Sequence, residues 1–298
     1  MSLLLSLLVT WQGASTYFQN PRLTESSGAA VSRAYPGVLW THNDSGDQPY
    51  LYATDVRGRD WGRLRVADAR AVDWEDIALG PCPARTTPVV SGTCLYIADT
   101  GDKRETRAAV RIYAVPEPRP PQDARDTLRT TARPAVLRLH YPDGPHDVEA
   151  LYVLPRDTAV FLITKGRNGK SIHAYRVDHA QWAKGSGRAR HVQKLDLRPD
   201  AETGRLVTSA SIRPDARMVA IRTYSEIYLY AADSTGRLIR APGRPCDISG
   251  LGPGGEGVDF VNDSTVVLTS EASRRQPGTI SLVRLTANGG CAVSATSR

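Results

Sequence analysis

Three glutamates, Glu75, Glu149 and Glu256, each open a β-forming run and are each followed six residues later by a turn residue, Pro81, Pro155 and Asn262. The runs read Glu75-Asp76-Ile77-Ala78-Leu79, Glu149-Ala150-Leu151-Tyr152-Val153 and Glu256-Gly257-Val258-Asp259-Phe260. The same offset finds two further members: Thr208 before Pro214, and Ser27 before Arg33 at the Ala34-Tyr35-Pro36-Gly37 turn. Every side chain in the series Ser27, Glu75, Glu149, Thr208, Glu256 ends in oxygen. Gathered at one height around an axis, such groups form a hard ligand set without His or Cys, suited to Ca²⁺ or Mg²⁺. A wide ring with flexible coordination favours Ca²⁺. Without a cation, three facing carboxylates repel one another and rise in pKa. The competing arrangement pairs these acids with Lys and Arg in the channel, or with water.

A second set is marked by near-identical strings, Asp44-Ser45-Gly46-Asp47 and Asp99-Thr100-Gly101-Asp102. Each follows an apolar run, Val38-Leu39-Trp40 or Leu95-Tyr96-Ile97. The same place in the other units falls to Lys165, Arg222 and Glu271. A lone Asp in a turn is ordinarily a local cap. Five aligned ionisable residues point instead to a catalytic layer at the channel mouth. Asp44 or Asp99 suits the general base. Lys165 and Arg222 suit charge neutralisation on an anionic group. Glu271 completes the layer.

The elements that must position these residues are short strands. Each interval in the series holds about four, as in 148–154, 159–164, 172–177 and 191–197. Four-stranded units at this period define an all-β fold, a five-bladed β-propeller of antiparallel blades around a central channel. The first strand of each blade lines the channel. The longest interval, Glu75 to Glu149, absorbs a loop between Cys82 and Cys94 and the Pro116–Pro121 stretch. Residues 23–298 form one propeller domain. Residues 1–22 form an N-terminal segment, either a signal-peptide remnant or an outer strand. Its apolar run, Leu3–Val9, is too short to span a bilayer and lacks a basic start and a clean cleavage site.

The bulk properties fit a folded repeat domain: 298 residues, 41% hydrophobic, 23% charged, with 25 Gly and 20 Pro for turns. The net charge is +7, but the basic residues are scattered and form no stripe, so no nucleic-acid partner is expected. A small anionic substrate or ligand in the channel is the milder reading of the charge. Four cysteines without metal-ligand spacing favour two disulfides, Cys82–Cys94 and Cys246–Cys291, and so a secreted or periplasmic location. Four buried free thiols are the competing reading. No GxSxG string occurs, and the six His fall mostly at strand ends or turns, with His42 and His146 near channel-facing motifs. A monomer without a membrane span is expected.

Several longer strings carry a resemblance: Glu25-Ser26-Ser27-Gly28, Trp40-Thr41-His42-Asn43-Asp44-Ser45-Gly46, Asp73-Trp74-Glu75-Asp76-Ile77-Ala78 and Asp99-Thr100-Gly101-Asp102. Tyr141-Pro142-Asp143-Gly144-Pro145-His146-Asp147-Val148-Glu149-Ala150-Leu151 and Arg222-Thr223-Tyr224 continue it. On these the chain resembles an uncharacterised family of secreted bacterial β-propeller proteins, which implies the fold and no activity. More distantly it is similar to the calcium-activated apyrases, five-bladed propellers with an axial Ca²⁺ held by Ser, Glu, Glu, Ser and Glu. Ser27, Glu75, Glu149, Thr208 and Glu256 take those places in order, with Thr208 for Ser. That resemblance implies a Ca-dependent hydrolase of phosphoanhydrides or phosphoesters. The apyrases' nucleobase contacts have no counterpart in this sequence. The same scaffold would equally serve a Ca-dependent lactonase or esterase, or a non-catalytic propeller that binds a ligand or partner around a structural metal.

Overall fold

In a computed structural model the chain forms five small sheets arranged in a ring, a five-bladed β-propeller. The structure describes residues 15–84, 86, 92–123, 128–233, 235–252, 254–286 and 290–293. The innermost strands are Ala30–Val31, Trp74–Pro81, Val148–Val153, Val207–Ile212 and Gly255–Asn262, and they pack against one another around the axis. A bridge between Ser26 and Asn43 extends the short first one. The third blade is the simplest, with Val148–Val153, Val160–Thr164, His173–Val177 and Arg190–Lys194 in order, all antiparallel.

Strands covered on both faces read as continuous apolar runs rather than alternating ones. Val160–Thr164, Val-Phe-Leu-Ile-Thr, is buried throughout. Five apolar clusters fill the five gaps between blades. Trp40, Trp74 and Tyr113 join the first blade to the second. Tyr96, Tyr175 and Trp182 join the second to the third. Tyr152, Phe161 and Tyr230 lie between the third and fourth, and Leu229, Phe260 and Val266 between the fourth and fifth. Phe18, Tyr52 and Val267 close the ring. With no axial core, this aromatic glue between blades holds the inner strands where the polar ring requires them.

Closure uses both ends of the chain. Thr16–Tyr17 and Cys291–Val293 each pair antiparallel with Thr279–Leu285 in the fifth blade. Residues 1–14, including the Leu3–Val9 run, lie outside the described residues. Two segments pair parallel with the outer strand of the preceding blade: Arg129–Thr130 on Gly62–Arg65, and Ser186–Arg188 on Ala135–His140. Covered outer edges cannot recruit another chain by strand addition. The cysteines pair as the sequence suggested, Cys82 with Cys94 and Cys246 with Cys291, at Cα separations of 4.9 and 5.3 Å. The second pair ties the fourth blade to the last strand of the fifth. Among the described residues no helix is long and apolar enough to cross a membrane.

Candidate functional site

Four of the five ring residues lie at the same irregularity. Pairing of the inner strand with its neighbour slips at Glu75, at Glu149, at Thr208 and across Glu256-Gly257. A β-bulge leaves its extra residue out of the ladder and re-aims the side chain. Glu75, Glu149 and Glu256 are thereby turned into a cavity of about 820 Å³ at one end of the axis.

The channel is shut below this layer. Asp76 accepts from the backbone N–H of Ile77 (2.9 Å), Leu151 (2.9 Å) and Ala210 (3.1 Å) and from the Ser209 hydroxyl (3.0 Å). One carboxylate thus knits three inner strands. Asp259 does the same for the N–H groups of Val31 (2.7 Å) and Phe260 (2.8 Å) and the hydroxyl of Ser211. A Cβ on Gly257 would lie 2.5 Å from the Gly28 carbonyl carbon, so the strands are in backbone contact here. The acidic cavity lies on one side of this knitted layer.

Ser27 and Thr208 sit in the ring but do not line the cavity. Their hydroxyls donate to the carbonyl oxygens of Glu75 (2.7 Å) and Glu256 (2.9 Å). Each therefore anchors the glutamate backbone of the following blade. The acids that come together are Asp44, Asp73, Glu75, Asp147 and Glu149. One oxygen each from Asp44, Asp73 and Glu75 lies within 4.8 Å of the others, and the same holds for Glu75, Asp147 and Glu149. Glu75 belongs to both groups. Asp73 and Asp147 are absent from the sequence-derived set, although a signal for them exists. Each stands two residues before a ring glutamate, in Asp73-Trp74-Glu75 and Asp147-Val148-Glu149.

The second layer is offset from its sequence alignment. Backbone bonds run from Asp44 N to Glu25 O (2.9 Å), Gly101 N to Asp73 O (3.2 Å), Lys165 N to Asp147 O (3.0 Å) and Glu271 N to Gly254 O (2.9 Å). The equivalent position in the second blade is Gly101, and in the fourth, where Val207 pairs with Thr223, it is Tyr224. Asp44, Lys165, Tyr224 and Glu271 line the cavity, whereas Asp99 and Arg222 do not. Asp99 pairs with Trp74 inside the sheet and accepts from Arg107 Nη2 (2.9 Å) and the Asp73 N–H (3.1 Å). Arg222 is buried and donates from Nη1 to the carbonyls of Gly257 (2.5 Å) and Thr269 (2.7 Å). His42 is buried against Trp74 and lies off the cavity.

Two cations stand on one wall. Lys165 Nζ lies 2.5 Å from Glu149 Oε2. Arg167 reaches Asp147 Oδ2 at 2.6 Å and Glu149 Oε1 at 3.2 Å. Burial pulls Lys165 down, but Glu149 and Glu256 outweigh it and hold the ammonium above its ordinary pKa. On the other wall, no described ion pair ends on Asp73, Glu75, Glu256 or Glu271. Burial, then Glu149 and Asp44, push Glu75 well above the carboxylate range. Burial with Asp44 and Glu149 brings Asp73 to about 7, and burial with Asp44 and Glu25 brings Glu271 to about 7. Glu256 Oε2 is buried without a hydrogen-bond partner among the described residues. Eight carboxylates and three Lys or Arg line the cavity, a negative hole in a protein of net charge +7.

Fold and site together define a five-bladed β-propeller with an acidic axial cavity, whose acidic groups are spaced to hold a metal ion. No protein-family model matches the chain, and no curated protein matches it. Among solved structures, the chain is similar to hydrazine synthase from Kuenenia stuttgartiensis, at 9% identity and a TM-score of 0.43 over 91% of this chain and 84% of that one.

Proposed function

We propose that the axial cavity binds a divalent cation, Ca²⁺ by donor chemistry, and that the protein is a secreted, cation-dependent hydrolase of phosphoanhydrides or phosphoesters. The observation that carries the metal is Glu75, shared by two oxygen triads. The orphaned Glu256 Oε2, aimed at the same space, supports it independently. All donors are oxygen, which suits Ca²⁺ and leaves Mg²⁺ as the smaller alternative. Asp44, Asp73, Glu75, Asp147 and Glu149 would hold the ion.

When bound, the cation polarises a phosphoryl oxygen and lowers the pKa of a water. The rest falls to the chain's own side chains. Lys165 and Arg167 present positive charge on one wall and orient an anionic group. Glu271, with its pKa near 7, lines the same cavity and is the candidate base for the attacking water. Asp99 and Arg222 act as positioning residues: the first fixes the Asp73 backbone, the second the strand carrying Glu256. The paired cysteines fit export to an oxidising compartment.

A second reading is favoured by one observation. Ser27, Thr208, Asp76 and Asp259 all tie one inner strand to another. A cation in the ring would then staple the blades without turnover. Elemental analysis of protein purified with and without a chelator tests the metal. Phosphate release from a panel of nucleotides and sugar phosphates tests the reaction, with esters and lactones run alongside. Ca²⁺-dependent phosphate release that falls at least tenfold in Glu271→Gln supports the hydrolase. Bound Ca²⁺ with no turnover on any substrate leaves the staple. Turnover of esters or lactones alone gives the lactonase or esterase.

A further inference from the structure

The cavity next to the axial one belongs to a different chemistry. A crevice of about 420 Å³ runs between the second and third blades and ends at His146 and His173. It shares Asp147 and Arg167 with the axial cavity. Its outer end carries a histidine cluster that the axial reading does not use.

His173 and His191 lie on adjacent antiparallel strands of the third blade, His173–Val177 and Arg190–Lys194. The ladder has an extra residue at Val192, between the pairs Ala174–Gln193 and Tyr175–His191. The bulge sets His191 beside His173 on one face. Nδ1 of His173 and Nε2 of His191 are 2.9 Å apart. At this distance one ring donates its N–H to the other. A turn of the two rings away from this bond would bring both nitrogens to one ion, at the solvent edge of the blade.

The pair is backed by an ordered polar set. The His191 ring packs edge-on against Tyr175, with centroids 5.4 Å apart. The Tyr175 hydroxyl donates to Asp143 Oδ2 at 2.8 Å and lies 2.8 Å from His146 Nε2. His146 Nε2 is also 2.9 Å from Asp143 Oδ1. Burial, then His191 and His146, depress the His173 pKa, so its ring is neutral at pH 7. A neutral imidazole is a competent metal ligand.

We propose that His173 and His191 form a binding site for a borderline divalent transition ion, Zn²⁺ or Cu²⁺, separate from the oxygen-lined axial site. Imidazole nitrogen suits these ions, whereas carboxylate oxygen suits Ca²⁺ and Mg²⁺. The protein would then hold two metal classes at two separate sites. On binding, the donor ring's proton moves to its other ring nitrogen, so that each ring offers one lone pair to the ion, and water fills its remaining positions. Both donors sit on rigid strands, and the edge is open to solvent, so loading requires no opening of the fold.

The test is titration of the full chain with Cu²⁺ and with Zn²⁺, in excess Ca²⁺ to occupy the axis, followed by calorimetry and, for Cu²⁺, electron paramagnetic resonance. One equivalent bound, with hyperfine structure from two nitrogens, is expected. His191→Ala and His173→Ala should each weaken it more than about tenfold, since even outer partners of metal ligands are worth that much. His140→Ala and the axial Glu75→Gln should leave it unchanged. Circular dichroism melts confirm that each variant is folded, and His191→Asn provides a second, polar replacement. Equal Cu²⁺ and Zn²⁺ affinity in wild type and both histidine variants overturns the site. Loss of binding in Glu75→Gln assigns the ion to the axis and overturns it equally.

Discussion

Glu75 concentrates the conflict at the axis. It belongs to both carboxylate triads, and burial, Glu149 and Asp44 all oppose its ionisation. A cation reverses the sign of that arrangement, because the repelling oxygens become its ligands. Glu75→Gln should therefore act oppositely in two conditions. With chelator at pH 8 it removes a strained charge, and the melting temperature should rise. With excess Ca²⁺ it removes a shared ligand, and affinity should fall by more than about tenfold. Differential scanning calorimetry in both conditions decides it, and a variant that melts lower than wild type in chelator sinks the argument. At this scale the sequence showed the ring glutamates through their constant offset to a turn. It did not show Asp73 and Asp147, because the offset marks where each run begins to turn back, not which residues share its face. The Asp-x-Glu that recurs at the start of two inner strands was nonetheless legible as a string.

At the scale of the strand, the bulge decides which residues see the cavity. Five blades and their inner strands followed from period and polarity alone. Register did not, because a bulge adds a residue without changing composition, and each one-residue slip sends a side chain to the other face. The likeness of Asp44-Ser45-Gly46-Asp47 to Asp99-Thr100-Gly101-Asp102 aligned Asp44 with Asp99. The backbone instead places Gly101 against Asp73, as Asp44 lies against Glu25. The missing side chain at Gly101 is what gives the acids room. A Cβ there would run into Glu75 Oε1 and the Asp73 carboxylate. Gly101→Ala should leave the blade folded, at a cost of about 1–3 kcal/mol for overpacking. Cation affinity should drop at least tenfold, because both acids must shift. Urea denaturation and Ca²⁺ calorimetry on the same preparation separate the two effects. Unchanged affinity would show that Glu75 and Asp73 are not the ligands.

For the whole molecule, net charge says nothing about the site. The chain is basic at +7, which suggested affinity for anions, yet the charged residues that line its axial cavity are mostly acids. Scattered surface Arg sets the first quantity, and the inner strands set the second. The buried acids also give the fold a pH dependence of definite sign. Asp73 and Glu271 rise to about 7 from ordinary values of 3.8 and 4.5, and Glu75 and Glu256 rise as well. Between pH 4 and pH 7 the folded state therefore holds more protons than the unfolded chain. Stability of the metal-free protein falls as pH rises through that window, since the slope follows protons bound unfolded minus folded. On the proposed reading, Ca²⁺ would bind the folded state and compete with those protons, so its stabilisation would grow over the same window. At 100 times its dissociation constant a ligand adds about 2.7 kcal/mol. In chelator, the melting temperature should be lower at pH 8 than at pH 5.5. In excess Ca²⁺ the order should narrow or invert, with protons released on binding at pH 6.5. A chelated protein whose melting temperature climbs from pH 5.5 to pH 8 would mean that the axial carboxylates are already neutralised without a metal. Lys165 and Arg167, paired with Glu149 and Asp147, would then supply that neutralisation.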